Sequence, residues 1–332
     1  MNVLSIPYVQ STMSFMLSRF ISARNEGVHN MTVTEEEYLH PEYLVETEWL
    51  DQHFDLDDLR VFDCTVNVIP NPDVNQKKQI PFVYQSGLKN FEKAHIPRAE
   101  FIDVLKDLSD ESSDLPLMLP PKAKFIEAMR DYGVNENSQI VLYSTTEPNW
   151  AARVWWMLRV FGFNNAAILN GGWAKWKKEG RGTSNAACEY ELGTITSTSR
   201  QRTDLFVSKV EVLAAIGNTE VKIINALPYP MYTGLSEMAF GRKGRITGSV
   251  NVPFFDLHDP DTGCYLPAEK LHKKFDGVGV DSAEHIITYC GAGVAASNNA
   301  FALALLGYEN VSIYDGSMFE WGNDASLPME IG

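Results

Sequence analysis

Apolar residues along the chain fall into short β-rich runs that alternate with longer runs at helical spacing. Gln139-Ile-Val-Leu-Tyr143 has the length and composition of a buried strand. After a polar loop, the apolar stretch 150–161 is long enough for a helix, and Gly162 closes it. A short strand at 166–169 and the turn Asn170-Gly-Gly-Trp-Ala-Lys-Trp176 follow. The same order then returns: His285-Ile-Ile-Thr-Tyr289, a glycine loop, an apolar helix over 295–306 closed by Gly307, a strand at 311–313, and Asp315-Gly-Ser-Met-Phe-Glu-Trp321. Upstream, Ala94-His-Ile-Pro-Arg-Ala99 answers Gly244-Arg-Ile-Thr-Gly-Ser249, and Val61-Phe-Asp63 answers Ile223-Ile-Asn225. An internal repeat of strands and helices predicts two copies of one α/β domain, each a mostly parallel sheet with helices on both faces. In such sheets ligands sit beyond the carboxyl ends of the strands, where Cys290 stands in the second copy and Ser144 in the first.

The repeat divides the chain into an N-terminal extension over 1–40, expected to be flexible, a first domain over 41–181, a polar linker over 182–202, and a second domain over 203–332. The length of 332 residues suits two domains with a core each. Residues 1–25 hold no acid, two arginines and five serines, the composition of a mitochondrial presequence; the cytoplasm is the default compartment and the mitochondrion the alternative. Residues 35–63 hold eleven acids and one base, which predicts a solvated surface.

A net charge of −15 is the wrong sign for gripping a phosphate backbone, so no nucleic-acid partner is expected. No apolar run approaches the roughly 20 residues of a membrane helix, so no membrane partner is expected either. The four cysteines, Cys64, Cys188, Cys264 and Cys290, form no Cys-x-x-Cys pair, which points away from a zinc knuckle or a disulfide framework.

Cys290 has a particular electrostatic position, directly after a strand and at the head of the candidate active-site loop Gly291, Ala292, Gly293, Val294 and Ala295, which leads into the helix over 295–306. Loop N–H groups can converge on its sulfur, and the positive end of the helix dipole adds to them. Both favour the nucleophilic thiolate. The two glycines let the loop curl without a Cβ penalty at positive φ.

Cys290-Gly-Ala-Gly-Val-Ala-Ala296, with Tyr314-Asp-Gly-Ser-Met-Phe-Glu-Trp321, Ala94-His-Ile-Pro97, Ala152-Arg-Val-Trp-Trp156 and Asn251-Val-Pro-Phe254, resembles the two-domain rhodanese family of thiosulfate and 3-mercaptopyruvate sulfurtransferases. The likeness runs over about residues 44–322. It implies a catalytically silent first domain and a second whose Cys290 takes a sulfane sulfur from thiosulfate, 3-mercaptopyruvate or a persulfide and passes it to a thiol or cyanide. A thioredoxin-like reductant is a further candidate acceptor. Such ping-pong chemistry needs no metal and no organic cofactor.

The chain also departs from the family. Ala292 and Ala295 replace the loop hydroxyls of the mercaptopyruvate pattern Cys-Gly-Ser-Gly-Val-Thr, and Gly291 and Ala292 replace the cations of the thiosulfate pattern Cys-Arg-Lys-Gly-Val-Thr. Leu117 and Leu105 stand where a relay histidine and aspartate would be, and Leu227 and Thr233 where substrate arginines would be. Leucine cannot pair a carboxylate, so Arg242 and Arg245, in a cluster with Lys243, are the candidates for binding an anionic donor. His95 is expected to tie its loop to the backbone, and Arg153 to pack between the domains. Phosphatases of this fold need Cys-x5-Arg, and Ala296 stands at that arginine position. The alternative of another class is a rhodanese-like regulatory or binding protein with little turnover.

Overall fold

The computed structural model describes residues 37–73, 82–196, 201–236 and 240–332. The presequence-like stretch 1–25 and most of the extension lie outside the described residues. In the first domain the chain runs through β1 (Leu44–Val45), α1 (Thr47–Gln52), β2 (Leu59–Asp63), β3 (Val66–Pro70), β4 (Phe82–Ser86), α2 (Leu88–Phe91), β5 (Ala99–Phe101), α3 (Lys122–Asp131), β6 (Gln139–Tyr143), α4 (Asn149–Val160), β7 (Ala166–Leu169) and α5 (Gly172–Lys178). The second contains β8 (Phe206–Val207), α6 (Lys209–Ala215), β9 (Val221–Asn225), α7 (Tyr229–Tyr232), β10 (Arg245–Ile246), β11 (Val250–Asn251), α8 (Ala268–Asp276), β12 (His285–Tyr289), α9 (Val294–Leu305), β13 (Val311–Tyr314), α10 (Ser317–Trp321) and β14 (Met329–Glu330).

Each domain has a five-stranded, all-parallel sheet. The orders β5-β2-β6-β7-β1 and β11-β9-β12-β13-β8 are the same once equivalent strands are matched. The repeat extends to single bonds. The Ile96 amide donates to the phenol of Tyr143 at 3.3 Å, and the Ile246 amide to that of Tyr289 at 3.0 Å. At the ends of β2 and β9, the amides of Cys64 and Ala226 donate to the carbonyls of Tyr143 and Tyr289 at the same 2.8 Å. The antiparallel hairpin β3–β4 belongs to the first domain only.

The predicted helices at 150–161 and 295–306 are α4 and α9, shifted by one residue. Every residue of α9 is buried, and every residue of α4 except Arg159 is nearly so. A helix apolar on all sides must be covered on all sides, and the two helices meet each other across the domain interface, where Trp155 abuts Phe301 edge-on at 4.8 Å. Such a pair contributes about 0.5–1.5 kcal/mol beyond its area. The polar residues of α9 are accommodated by backbone: Ser297 donates to Gly293 O, Asn298 to Phe254 O and Asn299 to Val252 O.

The joining segment is fastened to the first domain: Ser184 and His95 exchange backbone bonds, Gly193 N donates to Arg130 O, and the Arg130 guanidinium to Ile195 O. The end of the extension is packed, with the Tyr38 phenol donating to Leu266 O and the His40 amide to Leu305 O. The acidic run is not wholly surface, since Asp63 closes β2 in full burial.

Asp63 accepts from the Thr65 amide at 2.9 Å, and Asn225, its counterpart, accepts from the Leu227 amide at 2.8 Å. Burial pushes the Asp63 carboxyl up from 3.8 to about 6, against the pull of the Thr65 bonds. The folded state therefore binds a proton between pH 4 and 6 that the unfolded chain releases, and stability falls as pH rises through that window. Asp63→Asn, which copies Asn225, is expected to exceed the parent in stability at pH 7 by about 2–3 kcal/mol, with the gap closing towards pH 4. Urea unfolding of both proteins from pH 4 to 8 measures this, and a gap independent of pH would refute it.

Candidate active site

Cys290 leaves β12 at the carboxyl edge of the second sheet and enters a three-residue turn ahead of α9. The turn is closed by Gly293 at φ +74°, ψ −13°. A side chain there would be strained by the backbone alone, and its Cβ would stand 2.5 Å from Asp315 Oδ1. Val294, Ala295 and Ala296 form the first turn of α9, where amides have no intrahelical acceptor, so the positive end of the helix faces the cysteine side of the turn.

The turn is held by one hydroxyl. Ser317 Oγ accepts from the amides of Cys290 at 3.1 Å and Gly293 at 3.2 Å, and donates to Tyr314 O at 2.7 Å. The amides of Met318 and Phe319 donate to the carbonyls of Cys290 and Gly291, which ties α10 to the same turn. Ser317 takes φ +47°, a left-handed conformation that costs a non-glycine residue roughly 1 kcal/mol or more. Its counterpart in the first domain is Gly172, at φ +51°. The second copy thus keeps a serine where the first uses the easier glycine, and the serine's hydroxyl is what grips the turn.

Cys290 is 3% exposed. Phe240 packs against Gly291 so closely that a Cβ there would lie 2.5 Å from its ring, which leaves no room for the cation of the thiosulfate-type loop. Phe240 contacts Phe319 at 5.0 Å and, across the domain boundary, Phe82 of β4 at 6.3 Å. Tyr84, two residues along β4, packs on Trp150, and its phenol is pushed well above the usual range, first by burial and then by the charge of Cys290. The hairpin of the first domain therefore reaches the surroundings of the sulfur.

Beneath the turn lies a buried ion pair between the domains. Arg153 Nη1 is 2.7 Å from Asp315 Oδ1, Arg153 Nη2 donates to Leu117 O at 2.7 Å, and the Leu119 amide donates to Asp315 Oδ2 at 2.8 Å.

The structure gathers Cys290, Gly291, Ala292, Gly293, Val294 and Ala295 at one corner, all buried. It places the two candidate arginines elsewhere. The Arg242 guanidinium donates to the carbonyls of Gly322, Trp321, Asp324 and Leu327. Arg245 pairs with Glu330 at 3.2 Å and covers the ring of Tyr232. Both are engaged by the C-terminal segment. His95 is held by the carbonyls of Phe91 and Ala186 and stacks on Phe91 at 3.9 Å, a structural placement. Leu227 and Thr233 are buried, with the Thr233 hydroxyl donating to Tyr229 O.

Burial, joined by the charge of Asp63, holds the Cys64 thiol well above its ordinary value, and burial likewise raises Cys188 and Cys264. A raised thiol holds less of the nucleophilic thiolate at neutral pH. Among the described residues no group of His, Cys, Asp and Glu is arranged to hold a metal. Sequence reasoning expected Arg153 between the domains, where it lies, but passed over Ser317, Asp315 and Tyr84; comparing the repeats position by position would have flagged Ser317 against Gly172.

The rhodanese-like domain model matches residues 46–179 and 208–324. The chain is 34% identical over 290 residues to the 3-mercaptopyruvate sulfurtransferase of Escherichia coli K12, covering 87% of this chain and 98% of that protein. It is 32% identical over 238 residues to the thiosulfate sulfurtransferase of Bos taurus, covering 70% and 79%. The crystal structure of SseA from Escherichia coli, a 3-mercaptopyruvate sulfotransferase, superposes with a TM-score of 0.70 at 31% identity, over 83% of this chain and 98% of that one. This chain, with its twice-built parallel sheet and its cysteine at the head of a buried helix, belongs to the rhodanese family. Within that family it is a sulfurtransferase.

Gly293→Ala is expected to lower stability by about 1–3 kcal/mol and sulfur transfer by at least about tenfold. Gly248→Ala is the control, since Gly248 has the same φ of +74° with open space around it. It should show the backbone penalty without the loss of transfer. Equal activity losses in the two variants would mean that the crowding at Gly293 is irrelevant.

Proposed function

We propose that Cys290 is the sulfur carrier. Its thiolate attacks the outer sulfur of thiosulfate, the S–S bond breaks, and sulfite departs with the bonding pair, leaving a Cys290 persulfide. A cyanide or thiolate acceptor then attacks the terminal sulfur, forms thiocyanate or a new persulfide, and returns Cys290 as thiolate. The protein's task is to stabilise negative charge at the cysteine and then one atom further out, which amides and a helix N-terminus do without reorganising. The observation that supports this most directly is the turn itself: a cysteine at the amino end of α9, with its loop fixed by the Ser317 hydroxyl.

For the donor, we infer that thiosulfate or a persulfide serves better than 3-mercaptopyruvate. The positions that would hold carboxylate-pairing arginines are buried Leu227 and Thr233, and Arg242 and Arg245 are already engaged. A low-molecular-weight thiol, cyanide or a thioredoxin-like reductant suits the acceptor step. The compartment we infer is the cytoplasm, with the mitochondrion the alternative suggested by residues 1–25; among the described residues no helix is long and apolar enough to cross a membrane. A second reading, a binding protein with little turnover, draws on the 3% exposure of Cys290.

Mass spectrometry after incubation with a donor separates the two. Transfer requires one added sulfur on the Cys290 peptide, and no adduct from thiosulfate, 3-mercaptopyruvate or polysulfide would favour the binding protein. Cys290→Ser is expected to fold normally and to lose transfer entirely. In steady-state rates for the parent, thiosulfate or a persulfide should exceed 3-mercaptopyruvate, and a clear preference for 3-mercaptopyruvate would defeat the donor assignment.

A further inference from the structure

The Arg153–Asp315 pair is unlike anything at the equivalent place on the other side of the domain interface. Arg153 is the fifth residue of α4, and the fifth residue of α9 is Asn298. Asp315 is followed by Gly316 and Ser317, as Asn170 is followed by Gly171 and Gly172. The surrounding bonds repeat: the Leu119 amide donates to Asp315, and the Tyr265 amide donates to Asn170 at 3.0 Å, each from the opposite domain. The framework is shared, but the side that holds Ser144 has two neutral amides, and the side that holds Cys290 has a cation and an anion. Burying such a pair is not in itself a strong source of stability. Its place beside one loop and not the other calls for a local reason.

That reason is in the distances. Gly293, whose amide is bonded to Ser317, lies so close to the pair that a Cβ on it would be 2.5 Å from Asp315 Oδ1 and 3.0 Å from Arg153 Nη1. Asp315 also stands two residues before Ser317, at the start of the turn that sets the left-handed serine. The guanidinium is fully buried, and its other anchors are Leu117 O and the face of Phe206 at 5.3 Å.

We propose that Arg153, a residue of the first domain, is a positioning residue of the sulfur-transfer centre: it neutralises and orients Asp315, and through Asp315 it fixes the Gly293–Ser317 junction and the field in which the Cys290 sulfur ionises. The proposal rests on Cys290 being the sulfur carrier. Without Arg153, a bare carboxylate would stand beside the turn and the amino end of α9. Without Asp315, a bare cation would stand there. Among the described residues, further titratable groups near the turn are Tyr84 from β4, and Tyr314 from β13 with Glu320 from α10, which accepts from the Tyr314 phenol and pairs with Lys209.

The test is a pH titration of the Cys290 thiolate by ultraviolet absorbance on the full chain, with Cys290→Ser as the background, beside the kcat/KM for thiosulfate. Arg153→Met should raise the midpoint by about one pH unit, which is an about tenfold smaller thiolate fraction below it, and should lower kcat/KM. Asp315→Asn should move the midpoint in the opposite direction. The double variant should return to within a few tenths of the parent, as should Arg153→Lys, which keeps the charge. If Arg153→Met does not fold, the Asp315→Asn and double variants carry the test. Midpoints equal to the parent's in all folded variants, or displaced in one direction in all, overturn the proposal. Retention of transfer by Cys290→Ser would overturn the sulfur-carrier reading instead, and the titration would still report the pair's effect.

Discussion

The hydroxyl of Ser317 is the point on which the Cys290 turn depends. It accepts from the amides that begin and end the turn and donates to the Tyr314 carbonyl of β13, so strand, turn and helix are fixed relative to one another by three bonds from one side chain. A left-handed serine is unfavourable in isolation, and it persists because the turn cannot close as it does without an acceptor at that position. The first domain shows the same backbone relaxed, with glycine in place of serine and serine in place of cysteine.

Charge follows the same division. Burial raises the three other thiols. Cys290 is buried as well, but among the four free cysteines it is the one at the amino end of a long helix. The ion pair beneath the turn adds a second layer, drawn from both domains. The hairpin β3–β4 contributes Phe82 and Tyr84, so the first domain reaches the surroundings of the turn through two separate elements.

Much of this was legible in the residues. The alternation of strand-length and helix-length apolar runs, repeated at matched positions, is a local signal that tertiary packing does not overrule, and it gave α4 and α9 to within one residue. Cys290 was legible because a strand, a cysteine, two spaced glycines and an apolar helix occur in immediate succession. The surroundings of the arginines were not legible, because a count of charges in a loop does not show the four carbonyls that fold back onto Arg242 from residues 321–327. Asp63 was misread for a similar reason: its neighbours in sequence are solvated acids, but it is the last residue of a central strand. Arg153 and Asp315 could not be paired from the sequence, because 162 positions of chain separate them and only the meeting of α4 with α9 brings them within 2.7 Å.

The burial of α9 on every side sets the terms on which either half could exist alone. Part of the cover is the second domain's own sheet, but the flank that carries Phe301 is closed by Trp155 of the first. Cut apart, the halves would turn that flank to water, so the fold holds them as one unit.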